Sequence, residues 1–336
     1  MIKVSIICPT FNEEKYIGYC IESIITQDYS LEDLELLLVD GQSTDKTRTI
    51  IVDYSKIYNF IKLLDNPYKM VSRALNIGIC EARGNIIIRI DGHCVYPPNY
   101  ISSLIKYLYE LNADNVGGIW DTLPANDSIA CCAIAIASSH KFGVGSSKHK
   151  VGTKSIIETD TVPFGCFRRE IFDRIGLFDE ELIRNQDDEF NARIIKNGGK
   201  IFLIPDLVIN YVARDSIYKM SKMYYQYGLF KPLVNKKIGK PTTLRQFFPV
   251  LFLCGLMIGG VLSFTSKFFF SLYISVILVY LLIGIIIGIN NIHKSIRLIY
   301  YLPFIFLTIH ISYGYGYLVG LYKVITKSKF QAIVNR

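Results

Sequence analysis

The stretch VSIICPTFNEEKYIGYCIESIITQDYSLEDLELLLVDGQSTDKT, Val4–Thr47, places an amphipathic run between two continuous apolar runs. This spacing predicts a strand over Val4–Cys8, a helix over Glu14–Thr26 and a strand over Leu36–Val39. The unit then repeats in predicted helices over Asp45–Ile57 and Met70–Ala82 and predicted strands over Ile61–Leu64 and Ile86–Ile90. Apolar strands joined by amphipathic helices indicate an α/β domain whose mostly parallel sheet is covered by helices on both faces.

Polar clusters follow three of these predicted strands, at Thr10–Glu13, Asp40–Asp45 and Asp91–His93. Ligands of parallel sheets bind where loops leave the carboxyl ends of the strands, so we expect the three clusters to share one site. In the second cluster, Asp40 can accept a hydrogen bond from a base or a ribose. Ser43 and Asp45 can cap the helix that follows, and a capping role alone would also explain both residues.

The third cluster, Asp91-Gly92-His93, suits a divalent cation. An Asp and a His at a strand end can converge on one ion. Carboxylate oxygen and imidazole nitrogen suit Mg²⁺ or Mn²⁺, with diphosphate oxygens in the remaining positions. The alternative is a plain Asp-Gly turn that holds no ligand.

A second stretch, TDTVPFGCFRREIFDRIGLFDEELIRNQDDEFNARIIKNGG, Thr159–Gly199, ends in an acidic cluster that opens a predicted helix. Carboxylates at a helix N-terminus are stabilised by the helix dipole and by free backbone N–H groups, so Asp187, Asp188 or Glu189 should stay ionised. An ionised and positioned carboxylate can serve as a general base. The alternative is that these residues only cap the helix.

The chain has 336 residues, 51% of them hydrophobic, and the apolar excess lies after residue 246. Three apolar runs, about 247–264, 268–289 and 298–322, are each long enough to cross a bilayer as a helix. We therefore predict a soluble domain followed by a membrane domain of two to three spans. Three crossings would put the basic tail, 323–336, on the outer side, against the positive-inside tendency. Leu298–Tyr322 contains Pro and Gly and is the candidate for a re-entrant segment.

The net charge of +8 is concentrated just before the membrane domain. The segment from Arg214 to Gln246 contains eight basic residues and only one acidic residue, Asp215. A basic belt beside a membrane segment indicates contact with anionic lipid headgroups. Nucleic acid is not an expected partner, because the globular part carries no recognition motif.

The N-terminal run VSIICPT is too short for a signal sequence, and the eight cysteines show no C-x-x-C spacing. Both features predict a catalytic domain on the cytoplasmic side of the cell membrane.

Residues 141–158, KFGVGSSKHKVGTKSIIE, are rich in Gly, Ser and Lys. This composition predicts a mobile loop beside the site that can fold over a bound ligand. A plain flexible linker explains the composition equally well.

Four segments together resemble the successive signatures of the family 2, GT-A-fold glycosyltransferases. They are VSIICPTFNEE, LLLVDGQSTDKT, NIIIRIDGH and NQDDE, and the match covers roughly residues 3–230. The RIDGH segment, VPFGCFRREIFDRIGLFDEEL and the three-span tail are similar to the succinoglycan-biosynthesis type. The resemblance divides the chain into a nucleotide-binding half (1–120), an acceptor half (121–230), a basic juxtamembrane segment (231–246) and a membrane domain (247–322).

The resemblance also implies residue roles. The first nucleotide-binding loop corresponds to Pro9, Thr10, Asn12 and Glu13, and other contacts with the nucleotide sugar correspond to Asp40, Ser43, Asp45, Arg73 and Asp91. Asp91 and His93 occupy the place of the D-x-D metal motif, which implies Mg²⁺ or Mn²⁺. Asp187 aligns with the catalytic base, while Gln186 takes the place of the usual Glu and Asp188 follows on the acceptor side.

The implied reaction is transfer of a hexose, with inversion, from a nucleotide sugar to a polyprenyl-linked saccharide, and UDP-glucose is the family-level donor. The only tryptophan, Trp120, lies in the nucleotide half, so the Gln-x-x-Arg-Trp motif of processive synthases is missing and we expect one sugar per turn. Two alternatives stay open. The acceptor can be polyprenyl phosphate itself, or the chain can be a silent sugar-nucleotide-binding scaffold in a membrane assembly complex.

Overall fold

A computed structural model of the chain describes residues 3–330. Within that range, nine strands form one sheet. They are β1 (Val4–Thr10), β2 (Leu34–Asp40), β3 (Ile61–Asp65), β4 (Ile86–Arg89), β5 (Cys94–Val95), β6 (Asn115–Leu123), β7 (Ile157–Glu158), β8 (Cys166–Arg168) and β9 (Ile201–Val212).

The sheet has the strand order β3-β2-β1-β4-β8-β6-β9-β5, with β7 paired to β9. The first four strands in this order are parallel, and β8 joins β4 in the antiparallel sense. The predicted α/β class with a mostly parallel N-terminal sheet is therefore confirmed. The β1–β2 register pairs Thr10 with Asp40, which brings the first two polar clusters to the same edge of the sheet.

Helices cover both faces of the sheet because alternate residues of each strand point to opposite sides. Ile6 and Leu36 belong to the apolar core on one face, and Ile7 and Leu37 belong to the core on the other face. The helices of the catalytic domain are α1 (Ile17–Ile25), α2 (Thr47–Ile57), α3 (Val71–Glu81), α4 (Tyr100–Glu110), α5 (Ile129–Ser139), α6 (Lys141–Val144), α7 (Lys148–Val151), α8 (Glu170–Ile175), α9 (Gln186–Lys196) and α10 (Ile217–Ile238).

The helix α1 begins three residues after its predicted start at Glu14. The backbone N–H of Glu13 donates to Thr47 Oγ1, and that of Glu14 donates to Asp45 Oδ2. These bonds hold both residues in the loop, so the helix forms only from Ile17 onward.

Among the described residues, three helical segments are long and apolar enough to cross a membrane, by length and composition: Leu244–Leu262, Lys267–Asn290 and Leu298–Ile325. They contain the last three helices, α11 (Phe248–Leu262, which follows a short 3-10 turn at Leu244–Phe247), α12 (Lys267–Asn290) and α13 (Leu298–Ile325). The Pro- and Gly-containing run at 298–322 forms one unbroken helix of 28 residues, in spite of Pro303.

Small residues bring α13 close to α10. A Cβ atom added to Gly316 would lie 2.1 Å from Tyr225 O, and one added to Gly320 would lie 2.1 Å from Leu229 O. Only glycine permits backbones to approach so closely at these positions. The candidate membrane helix α13 is therefore packed directly onto α10.

The domain boundary expected at residue 230 falls inside α10, which continues to Ile238 because its second half is also buried, against α13 and α9. Several cations of the basic belt have partners within the chain: Lys231 pairs with Asp188, Lys237 with Asp179 and Glu181, and Arg245 with Asp160. Part of the predicted lipid-facing charge is thus neutralised internally. Contact of the remainder with anionic lipid stays a prediction.

Candidate active site

A cavity of about 480 Å³ lies between the carboxyl end of the central strands and the membrane helices. Asp91 and His93 line it from the loop after β4, and Asp187 lines it from the start of α9. The opposite wall contains Phe248 of α11 and Tyr313 of α13. The cavity therefore brings the third polar cluster and the acidic cluster together beside the membrane domain.

A buried arginine connects the two clusters. The side chain of Arg89, the last residue of β4, is only 7% exposed, and it donates through Nη1 to Asp187 Oδ1 and through Nη2 to Asp91 Oδ1 at 3.2 Å. The Nε atom of Arg89 is buried and has no hydrogen-bond partner among the described residues. Burial works against the charged guanidinium, but the two carboxylates outweigh it and raise the pKa of Arg89. Arg89 therefore stays cationic and fixes the separation of the two acids.

Asp187 is placed in the first turn of α9 by Asn185, whose φ of 61° lies in the left-handed region that Asn tolerates. Burial raises the pKa of Asp187, and Arg89 opposes that rise. Its Oδ1 is bound to Arg89, whereas Oδ2 has no partner in the part of the chain that the structure describes. This arrangement leaves one carboxylate oxygen able to accept a proton from a hydroxyl in the cavity.

The neighbours of Asp187 differ in environment. Burial alone would raise the pKa of Asp188, but its ion pair with Lys231 at 2.8 Å outweighs burial and lowers the pKa. Gln186 is 5% exposed and lines the cavity, and its Oε1 is buried without a hydrogen-bond partner in residues 3–330. An orphaned buried oxygen beside a cavity indicates a ligand that would supply the donor.

The donor set of Asp91 and His93 fits a divalent cation that takes its other ligands from a diphosphate. The carboxylate of Asp91 is partly exposed to the cavity, and burial lowers the pKa of His93 to about 4, which keeps its imidazole neutral. The ring of His93 lies edge-on to Tyr211 and places Nδ1 3.5 Å from Glu13 Oε1. Across the described ranges, no group of three His, Cys, Asp or Glu side chains is arranged to hold an ion alone.

The loops after β1 and β2 are tied to each other by hydrogen bonds. Ser43 Oγ accepts from the backbone N–H of Asn12, and Asn12 Oδ1 accepts from the backbone N–H of Thr44. Asp40 is fully buried, and its carboxylate accepts from Ser43 and from Arg48 Nη1 at 2.8 Å. Asp45 accepts from the backbone N–H groups of Glu14 and of Thr47, the first residue of α2. Ser43, the other predicted cap, is bound to Asp40 and Asn12 instead.

Of the residues predicted to contact the nucleotide sugar, only Asp91 lines the cavity itself. The others do not: Pro9, Thr10, Asn12, Glu13, Asp40, Ser43, Asp45 and Arg73. Most of them lie on the neighbouring β1 and β2 loops, and their contact with a nucleotide stays a prediction. Arg73 pairs with Glu180 at 3.3 Å, and its guanidinium lies over the Tyr68 ring at 3.8 Å from the ring centre.

The predicted loop at 141–158 contains the short helices α6 and α7, and most residues from Lys141 to Lys150 line the cavity. Trp120 lines the same wall and stacks on Tyr211 with ring centroids 4.1 Å apart. Sequence reasoning assigns no direct role to Trp120 or Arg89. For Arg89 a signal was present, because a charged residue inside the apolar run IIIRI requires a buried counter-charge.

Comparison with known proteins places the chain in a family. The family model of glycosyl transferase family 2 matches residues 5–176. The chain is 32% identical over 331 residues to the dolichyl N-acetyl-alpha-D-glucosaminyl phosphate 3-beta-D-2,3-diacetamido-2,3-dideoxy-beta-D-glucuronosyltransferase of Methanococcus voltae, which covers 95% of this chain and 97% of that protein. It is 29% identical over 247 residues to the succinoglycan biosynthesis protein ExoA of Rhizobium meliloti (strain 1021), covering 73% of this chain and 74% of the relative.

Among solved structures, the mannosyltransferase PcManGT from Pyrobaculum calidifontis, in complex with GDP-Man and Mn²⁺, has a TM-score of 0.59 and 17% identity and covers 96% of this chain and 87% of that one. At this identity the likeness supports the fold alone. The sequence relatives and the family model confirm the resemblance that the motifs indicated. The chain belongs to glycosyl transferase family 2 and is a glycosyltransferase of the GT-A fold.

Proposed function

We propose that the protein transfers one hexose at a time, with inversion, from a nucleotide sugar to a lipid-linked saccharide during synthesis of an envelope or extracellular glycan. The observation that carries this proposal is that Arg89 forms ion pairs with both Asp187 and Asp91. The proposed base, Asp187, is thereby held near Asp91, where the donor would bind. A saccharide hydroxyl and a nucleotide sugar would meet between these groups.

In this proposal Asp187 is the general base. Its free Oδ2 accepts the proton of the acceptor hydroxyl while the hydroxyl oxygen attacks the anomeric carbon and the bond to the nucleoside diphosphate breaks. A single displacement inverts the anomeric configuration, so an α-linked donor gives a β-linked product. Asp188 is bound to Lys231, which makes Asp187 the available base of the two.

Asp91 and His93 would hold the divalent cation in this scheme. When bound, the cation supplies positive charge against the diphosphate of the donor. The tied loops at Asn12 and Ser43 and the buried Asp40 would position the nucleoside, with Arg48 fixing the Asp40 carboxylate.

Two findings support a lipid-linked acceptor. The cavity is walled on one side by Phe248, Pro249 and Tyr313 at the start of α11 and in α13, so a molecule anchored in a membrane can reach it. The Methanococcus voltae relative carries a name that specifies a dolichyl-phosphate-linked sugar as its acceptor. UDP-glucose is the first donor to test.

We also propose that α11 and α12 form a membrane hairpin while α13 lies at the cytoplasmic membrane surface. The second half of α13 runs along α10, with Ser312 Oγ 2.8 Å from Ser221 Oγ, and its first half packs on α12 and α5. This arrangement would place Lys294, Arg297 and the basic tail on the side of the catalytic domain, as the positive-inside tendency favours.

The experiment is radiolabel transfer from a panel of nucleotide sugars, including UDP-glucose, into a membrane lipid extract by the full chain. Asp187→Asn should lower transfer by about 10²- to 10⁴-fold, because a general base contributes that much, while nucleotide binding is nearly unchanged. Asp173→Asn, on the exposed face of α8, is the matched control and should retain activity. Full activity in Asp187→Asn would reject the base assignment, and a product that keeps the donor configuration would reject inversion.

A further inference from the structure

The cavity contains an excess of positive charge that its own carboxylates do not neutralise. Arg89, Lys231 and Arg245 each pair with an acid. Four other cations that line the cavity form no salt bridge within residues 3–330: the exposed Lys141, and Lys150, Arg184 and Arg214, which are partly buried. The three partly buried cations come from α7, from the residues before α9 and from the segment after β9, so the fold gathers them from three separate segments.

Arg184 is held in place without being neutralised. Its Nε donates to the side-chain oxygen of Gln226 at 3.1 Å, a neutral partner, and Arg184 lines the cavity. Burial lowers the pKa of Arg184, and the nearby positive charge of Arg214 lowers it further. Two neighbouring, partly buried cations repel each other, and an anion between them would relieve that repulsion.

Lys150 is positioned by aromatic rings. Its Nζ lies 5.4 Å from the ring centre of Trp120 and 5.5 Å from that of Tyr227. Cation–π contacts of this kind orient an ammonium group and leave its charge available to a ligand. The unpartnered Oε1 of Gln186 lies in the same cavity and independently indicates a ligand there.

We infer that Lys150, Arg184 and Arg214 form a seat for a phosphoryl group of a substrate, outside the cation position at Asp91 and His93. Arginine binds phosphate oxygens through paired N–H groups, and lysine adds a compact charge, so the set suits a phosphate or a diphosphate. The inference rests on the proposed function, which offers two sources for such a group. They are the diphosphate of the donor and the phosphate that links the acceptor to its lipid.

Binding measurements on the full chain in detergent test this seat without requiring sugar transfer. The probes are inorganic pyrophosphate with Mg²⁺ and farnesyl phosphate in micelles, each titrated by calorimetry. Arg184→Gln, Arg214→Gln and Lys150→Gln should each weaken at least one probe by about 10- to 100-fold, because each removes one charged hydrogen-bond partner. Binding should also weaken as salt is raised. Lys148→Gln is the control, since Lys148 is exposed on the same short helix and does not line the cavity.

The outcomes separate the two sources. Loss of pyrophosphate binding alone assigns the seat to the donor diphosphate, and loss of farnesyl phosphate binding alone assigns it to the acceptor lipid. Unchanged affinity for both probes in all three folded variants overturns the seat, as does a wild-type chain that binds neither probe. Lys150→Gln keeps the test decisive if an arginine variant does not fold, because Lys150 lies on a surface segment. If the wild-type chain shows no transferase activity but the variants still lose probe binding, the seat is supported and the proposed function is rejected.

Discussion

Replacing Arg89 by Gln should move the acid limb of the pH–rate profile to higher pH. Transfer requires ionised Asp187, so activity falls as pH drops through the pKa of that carboxyl. Burial raises this pKa and Arg89 lowers it, so removing the guanidinium leaves burial unopposed. A charge-assisted hydrogen bond contributes about 1.5–3 kcal/mol, and about 1.4 kcal/mol corresponds to one pKa unit, so the limb should rise by about one to two units. Arg89 is 7% exposed, so solvent screens this interaction little.

The assay is kcat/KM for the donor, measured from acidic to neutral pH with the full chain in detergent. Arg89→Lys keeps a positive charge and should leave the limb close to that of the wild type. Arg168→Gln is the control, because Arg168 lies on the adjacent strand β8 and packs on Tyr109, outside the cavity. An acid limb that stays in place or moves to lower pH in Arg89→Gln would refute the electrostatic role assigned to Arg89.

Three further predictions concern packing, ligand binding and topology. Gly320→Ala should destabilise the folded chain by about 1–3 kcal/mol, because the added Cβ overpacks against Leu229 O. The measurement is the midpoint of thermal unfolding, which should fall. Gly255→Ala is the control and should leave the midpoint unchanged, because a Cβ added there meets no described atom within 4 Å. Nucleotide binding should change the fluorescence of the cavity residue Trp120, the chain's one tryptophan, and Trp120→Phe should remove the signal; a nucleotide that binds by calorimetry without altering emission would contradict this. A green fluorescent protein fused to the C-terminus should fluoresce and an alkaline phosphatase fused there should be inactive, while the opposite pair of results would mean that α13 crosses the membrane.

The first ninety residues could be predicted well because their structure follows from local patterns. The continuous apolar runs form parallel strands in the structure, and the segments with helical spacing form the helices between them. Errors were confined to the ends of elements, as at α1, where side chains from the neighbouring loop hold Glu13 and Glu14 out of the helix. Such cross-loop hydrogen bonds join residues about thirty positions apart, and periodicity carries no information about them.

The site could be predicted in part. The sequence singled out Asp91, His93 and Asp187, and the structure places all three at one cavity. The pairing of Arg89 with both acids could not be read from spacing, because Asp187 lies 98 positions away in the chain. For Lys150 and Arg184 the difficulty is greater, because each looks like an ordinary charge in its own segment. Only the tertiary fold shows that neither forms a salt bridge with an acid among residues 3–330.

The packing of α13 on α10 joins the C-terminal apolar helices to the glycosyltransferase domain. The cavity has one wall from the sheet and one wall from the membrane helices, so neither part encloses it alone. Gly316 and Gly320 set the distance between α13 and α10, two helices that both contribute residues to the cavity. The same helix α10 provides Lys231, which neutralises Asp188 beside the proposed base. A shift of α13 along α10 would therefore change both the shape of the cavity and the position of Lys231 beside Asp188.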